Sequence, residues 1–237
     1  AVTPVGAVTC AAKYVDILLL GTLKHYKVLL KKMAQMPYFG IPQAAIDLEM
    51  ALTPQKLCTT LADGRVLTYE KMCVMGILNV TPDSFYEGSR VPAMEELVER
   101  AGRMLAAGAG ILDIGGESTR PGSDSVDGEE ERRRVVPAIA ALRKAYPDAV
   151  ISIDTYRADT AEAAIAAGAD IINDISAMEA DPRMADVVVA TKAPIILMHM
   201  RGTPKNMQQN CEYKDVVQEV AVYLAQRAQL LRERGVS

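Results

Sequence analysis

With 237 residues, half of them hydrophobic, the chain can bury one large core and still carry a small appendage. A net charge of −4, with Lys and Arg dispersed along the sequence, argues against nucleic acid as a partner, and the longest apolar run, 15–20 with Asp16 inside it, is far too short for a membrane span. Cys10, Cys58, Cys73 and Cys211 lack the paired spacing of a metal site or disulfide scaffold and His25 and His199 are the only histidines, so reduced thiols in a cytoplasmic protein are expected, with any metal a hard cation held by oxygen.

The first elements stand apart from the rest. Residues 15–20 read as a strand and 22–32 and 42–52 as helices, with no catalytic constellation before Met75, so 1–55 is expected to be a small N-terminal α/β extension. Asp63-Gly64 between 57–60 and 65–69 signals a hairpin, which would plug the floor of a barrel. From Met75 onward strands alternate with helices. Apolar runs at 75–80, 111–113, 150–154, 171–174 and 195–199 each end in polar or turn residues. Between them, Met94, Leu97, Val98, Ala101, Met104 and Leu105 share a helical face that stops at Gly108. A helix over 129–144 should be kinked by Pro137, and one over 158–167 closes at Gly168. Asp181-Pro182 is expected to open a fourth helix as N-cap and first-turn proline, and 213–234 forms a fifth that ends at Gly235.

Five consecutive βα units with continuously apolar strands imply a parallel sheet covered by helices. A doubly wound sheet concentrates its site at one switch point, whereas here every strand delivers a polar residue at its C-terminal end. The expected fold is therefore α/β, a (β/α)8 TIM barrel over 56–237 of which the first five units are present. Such an arc has an open edge, so three further units or a second chain are expected to complete it.

The segments Asn79-Val-Thr-Pro-Asp-Ser-Phe85, Gly115-Gly-Glu-Ser-Thr-Arg-Pro-Gly122, Ser152-Ile-Asp-Thr155, Ile172-Asn-Asp-Ile175 and Leu197-Met-His-Met-Arg-Gly-Thr-Pro204 occur in that order. Together they closely resemble dihydropteroate synthase over about 57–237, the first two being highly specific to that family. The amino-terminal segment also resembles an extension of some longer bacterial members. The resemblance implies a transferase of folate biosynthesis that joins 6-hydroxymethyl-7,8-dihydropterin pyrophosphate to 4-aminobenzoate, releases pyrophosphate and works as a cytoplasmic homodimer.

By the same resemblance, Asn79 holds Mg²⁺, and Asp154 and Asn173 hydrogen-bond the pterin between apolar walls from Ile175 and Met198. Phe85, Thr119 and Pro121 form the pocket for 4-aminobenzoate and sulfonamide drugs. Arg120 meets the charge on the departing pyrophosphate, and Glu87 stands in the catalytic loop where the family usually has Asp. Read from the residues alone, Asp154 serves equally well as an N-cap for the helix near Tyr156, Asn79 and Asn173 as turn residues, and Arg120 as a solvated side chain. Ile175 and Met198 read as core, Asp113 as a structural residue supporting the loops, and His199 either as an anion contact or as a satisfied strand-end histidine. The family's other pterin and anion contacts would follow Ser237. Alternatives are a barrel that transfers a methyl group from a folate to a corrinoid and a non-catalytic pterin-binding paralogue.

Overall fold

Short runs of aliphatic and β-branched residues between 74 and 197 form five parallel strands in the computed structural model, which describes residues 57–80, 90–116, 126–202 and 212–236. All of them except Leu57 belong to a compact unit, Cys58–Ser237. The strands and helices expected before residue 55 lie outside the described residues. A hairpin of β1 (Cys58–Thr60) and β2 (Val66–Thr68) precedes the sheet, turning through Asp63 and Gly64 as expected.

The sheet comprises β3 (Val74–Asn79), β4 (Ala109–Gly115), β5 (Ile151–Asp154), β6 (Ile171–Asp174) and β7 (Ile195–Leu197), hydrogen-bonded in that order. Its order never reverses, which a doubly wound sheet requires, so the arrangement is that of consecutive barrel units. Among the described residues the sheet is open, with β3 and β7 at its edges.

The two faces of the sheet differ because side chains alternate along each strand. Leu78, Ile114, Ile153 and Ile172 lie in one register row across β3 to β6 and are fully buried among Val135, Ile139, Leu142, Ala161 and Val188. Burying each such side chain contributes about 1.5–3 kcal/mol, so this outer layer is the main core. On the opposite, inner face Ile111, Val150 and Ile171 pack with Leu61 of the hairpin turn, which closes the N-terminal end of the arc. The floor plug expected from the sequence is present.

Five helices cover the outer face: α1 (Arg90–Ala106), α2 (Gly128–Ala145), α3 (Ala158–Ala166), α4 (Met184–Thr191) and α5 (Val216–Glu233). After α1 and α3 the chain turns at Gly108 and Gly168, whose φ angles of +98° and +113° disfavour any side chain. Asp127 caps α2 by accepting from the Glu130 amide at 2.8 Å, and α2 stays helical through Pro137. The start of α4 differs from expectation. Arg183 occupies its N-cap, while Asp181 accepts from the Arg183 amide through Oδ1 and from the Ala158 amide of α3 through Oδ2. A cap motif that looked local therefore serves the preceding helix as well.

Candidate active site

Parallel pairing places Asn79, Gly115, Asp154 and Asn173 in one register row at the C-terminal ends of four adjacent strands. They share the inner face, because Leu78, Ile114, Ile153 and Ile172, one position earlier in each strand, point outward into the core. Glycine keeps the centre of this row open. A Cβ on Gly115 would stand 3.3 Å from Asn79 Oδ1 and 3.7 Å from Asp154 Oδ2, so one glycine separates an amide oxygen from a carboxylate.

The helix-cap reading of Asp154 does not fit the local geometry. Arg157 is the N-cap of α3, and the amides of Arg157 and Ala158 donate to Thr155 Oγ1 and Asp181 Oδ2. Asp154 stands partly exposed at the strand end.

A second polar layer lies beneath. Asp113 and Ser152 are register partners two residues before Gly115 and Asp154, and both are buried. Asn173 Nδ2 donates to Asp113 Oδ2 at 3.1 Å, while among the described residues Asp113 Oδ1 and Ser152 Oγ have no partner at hydrogen-bond geometry. Burial raises the Asp113 carboxyl above the usual carboxylate range, opposed by the nearby Ser152 hydroxyl and the Asn173 amide. The sequence pattern places Asp113 at a strand end without revealing this link; counting back by two from Gly115 puts both on one face.

The loop after β6 is held tightly. Burial also raises Asp174, opposed by donors from the Ser176 amide and hydroxyl and the Met178 amide at 2.6–2.8 Å. Ala177 and Met178 take positive φ there, and Arg227 Nε of α5 donates to the Ala177 carbonyl at 2.6 Å. Ile175, in this loop, is buried but belongs to neither hydrophobic cluster, and Met198, half-buried after β7, donates its amide to the Asp174 carbonyl. His199 packs edge-on against Tyr223 at 4.9 Å.

Phe85, Glu87, Thr119, Arg120 and Pro121 lie outside the described residues. The backbone flanking 117–125 is nevertheless fixed on both sides. Buried Arg134 donates to the Gly116 carbonyl at 2.9 Å and pairs with Glu130, whose carboxyl Arg133 and Arg134 hold down at about 2. On the far side Arg157 donates to the Val126 carbonyl at 2.6 Å and pairs at 2.9 Å with buried Glu131. Neither anchor has a signal in the sequence pattern.

The pterin binding enzyme family matches residues 75–237, more than half of the chain and all of the five-unit arc but its first residue, Val74. The chain belongs to that family. It is 44% identical to the dihydropteroate synthase of Synechocystis sp. over 77% of its length. Among solved structures, a Xanthomonas albilineans dihydropteroate synthase with 4-aminobenzoic acid is 40% identical over 77% of the chain, with a TM-score of 0.66. A Burkholderia cenocepacia dihydropteroate synthase complexed with 7,8-dihydropteroate is 43% identical over 78%, with a TM-score of 0.65. The chain covers 62%, 64% and 61% of these three proteins, less than two thirds of each. No helix among the described residues is long and apolar enough to cross a membrane.

Proposed function

We propose that the protein is a dihydropteroate synthase, a transferase that condenses 6-hydroxymethyl-7,8-dihydropterin pyrophosphate with 4-aminobenzoate to give 7,8-dihydropteroate and pyrophosphate in folate biosynthesis. The observation that carries this reading is the register row Asn79, Gly115, Asp154 and Asn173 at the open end of the arc. A carboxylate and an amide side by side suit a flat heterocycle whose edge presents adjacent N–H donors. The names of the similar proteins and the motifs in 79–85 and 115–122 support the same reading.

In this mechanism Asp154 and Asn173 orient the pterin ring, with Ile175 and Met198 as its walls. Phe85, Thr119 and Pro121 hold the arylamine so that its neutral nitrogen faces the pterin methylene, and Arg120 offsets negative charge on the leaving pyrophosphate, with Glu87 nearby in the first loop. Among the described residues no group of three His, Cys, Asp or Glu side chains could hold a metal. Asn79 is exposed at its strand end. A single amide oxygen suits Mg²⁺, which takes one or two protein oxygens beside phosphate and water, and the ion would supply charge neutralisation to the diphosphate. The protein's own task is alignment and electrostatics, and no nucleophilic side chain is required. The exposed, unpaired Cys58 thiol fits a reducing compartment, and we place the protein in the cytoplasm as a homodimer.

A steady-state assay tests the reading. The complete protein should release pyrophosphate in step with dihydropteroate formation only when both substrates are present. Pterin binding without pyrophosphate release would instead indicate a non-catalytic binding protein, and methyl transfer from a folate to a corrinoid the other barrel chemistry.

A further inference from the structure

The row of strand-end residues rests on the buried layer beneath it, and the contact between the layers has a direction. Asn173 Nδ2 points down to Asp113 Oδ2 at 3.1 Å, and Asp113 is 4% exposed. A carboxylate accepts and an ionised one cannot donate. The opposite orientation of the Asn173 amide would set its Oδ1 against Asp113 Oδ2, two acceptors facing each other with no solvent between them. Resting on the proposed pterin site, we infer that Asp113 is a positioning residue, a buried acceptor that locks the Asn173 amide so that Oδ1 is presented to the ligand as an acceptor for a ring N–H. Asp154, its neighbour in register, then supplies the second acceptor. The pair selects a heterocycle with adjacent donors over one with an acceptor at that edge, because a misdirected amide would leave both partners unpaired.

The layer below also says what Asp113 does not do. Its Oδ1 and the Ser152 hydroxyl are buried and, among the described residues, have no partner at hydrogen-bond geometry. Among the described residues one of the two carboxylate oxygens accepts a hydrogen bond. An asparagine at 113 could keep its oxygen toward Asn173 and turn its amide N–H toward Ser152 Oγ, so the role requires an acceptor and not a charge.

The test measures the dissociation constant of 6-hydroxymethyl-7,8-dihydropterin pyrophosphate by calorimetry on the full-length protein and four variants. Asp113→Ala should weaken binding at least tenfold and Asp113→Asn less than threefold. In an Asn173→Ala background, Asp113→Ala should add less than twofold, because the residue it orients is gone. A further tenfold loss in that background would show that Asp113 acts by another route and overturn the inference, as would unchanged affinity in Asp113→Ala while Asn173→Ala binds weakly. If Asn173→Ala itself binds like the wild type, the pterin role of Asn173 fails and this inference with it. Should Asp113→Ala not fold, Asp113→Asn decides: a loss under threefold supports an acceptor role, and a tenfold loss contradicts it.

Discussion

Asp113 and Asp174 are buried carboxylates one strand apart from Ser152, both shifted upward by burial, yet they should respond oppositely to loss of charge. Asp174 accepts three bonds that hold the 175–180 loop, and Asp174→Asn leaves at least one donor unmet, a cost of about 1–3 kcal/mol. Asp113 accepts from Asn173, with the Ser152 hydroxyl nearby, and its Oδ1 has no partner at hydrogen-bond geometry among the described residues. With its folded pKa raised, the folded protein holds the proton more tightly than the unfolded chain, so ionisation costs stability as pH rises from the ordinary 3.8 through the native value and costs nothing below it. Asp113→Asn is therefore expected to raise the thermal midpoint at pH 7, with the gain vanishing below the ordinary value. Melting curves at pH 7 and at about pH 3 check this; an equal shift at both would rule out the ionisation cost. Arg120→Ala should lower turnover more than pterin binding, because the proposed role lies in leaving-group charge. Wild-type turnover at saturating substrates would remove Arg120 from the mechanism.

At the level of elements, β4 and the residue after it supply two glycines that do different work. A Cβ on Gly116 would lie 2.8 Å from Val135 Cγ1, 3.0 Å from Glu131 Cγ and 3.3 Å from the Glu131 carbonyl, so Gly116→Ala must push α2 away at about 1–3 kcal/mol. On Gly115 the nearest atoms belong to Asn79 and Asp154 side chains, which can give. Gly115→Ala is expected to melt near the wild type but bind pterin more weakly, and chemical denaturation beside pterin titration separates the two; similar stability losses in both would refute the distinction. Asn79, Asp154 and Asn173 are legible in the sequence as polar residues that close apolar runs, and the family motifs around them suggest their roles. Asp181 is not legible in the same way, because its Oδ2 is spent on Ala158, 23 residues earlier, a tertiary contact that no local motif carries. Helix α2 continues through Pro137 because Val135, Ala138, Ile139 and Leu142, all buried against the sheet, outweigh one missing amide.

Across the whole molecule, order is expected to fall from the middle of the sheet outward. Strands β4, β5 and β6 are paired on both sides, whereas β3 and β7 each have one neighbour among the described residues, and Ile77 and Ile196 on their inner faces are 57% and 38% exposed. Hydrogen exchange of the 237-residue chain should be slowest at Ile153 and Ile172 and fastest along the outer edges of β3 and β7; uniform protection across the five strands would contradict this picture. The fold is legible at this scale because barrel units repeat, while the contribution of 81–89 and 117–125 rests on motif alone, since loop residues follow ligand chemistry and not periodicity. Everything proposed for the site depends on whether the row at the strand ends binds the pterin. The most direct test is the calorimetric affinity of the full-length protein for dihydropterin pyrophosphate before and after Asp154→Asn. The expected result is a loss of about 1.5–3 kcal/mol, the range for hydrogen bonds to a charged group, with an unchanged melting temperature; an unchanged affinity would contradict the assignment.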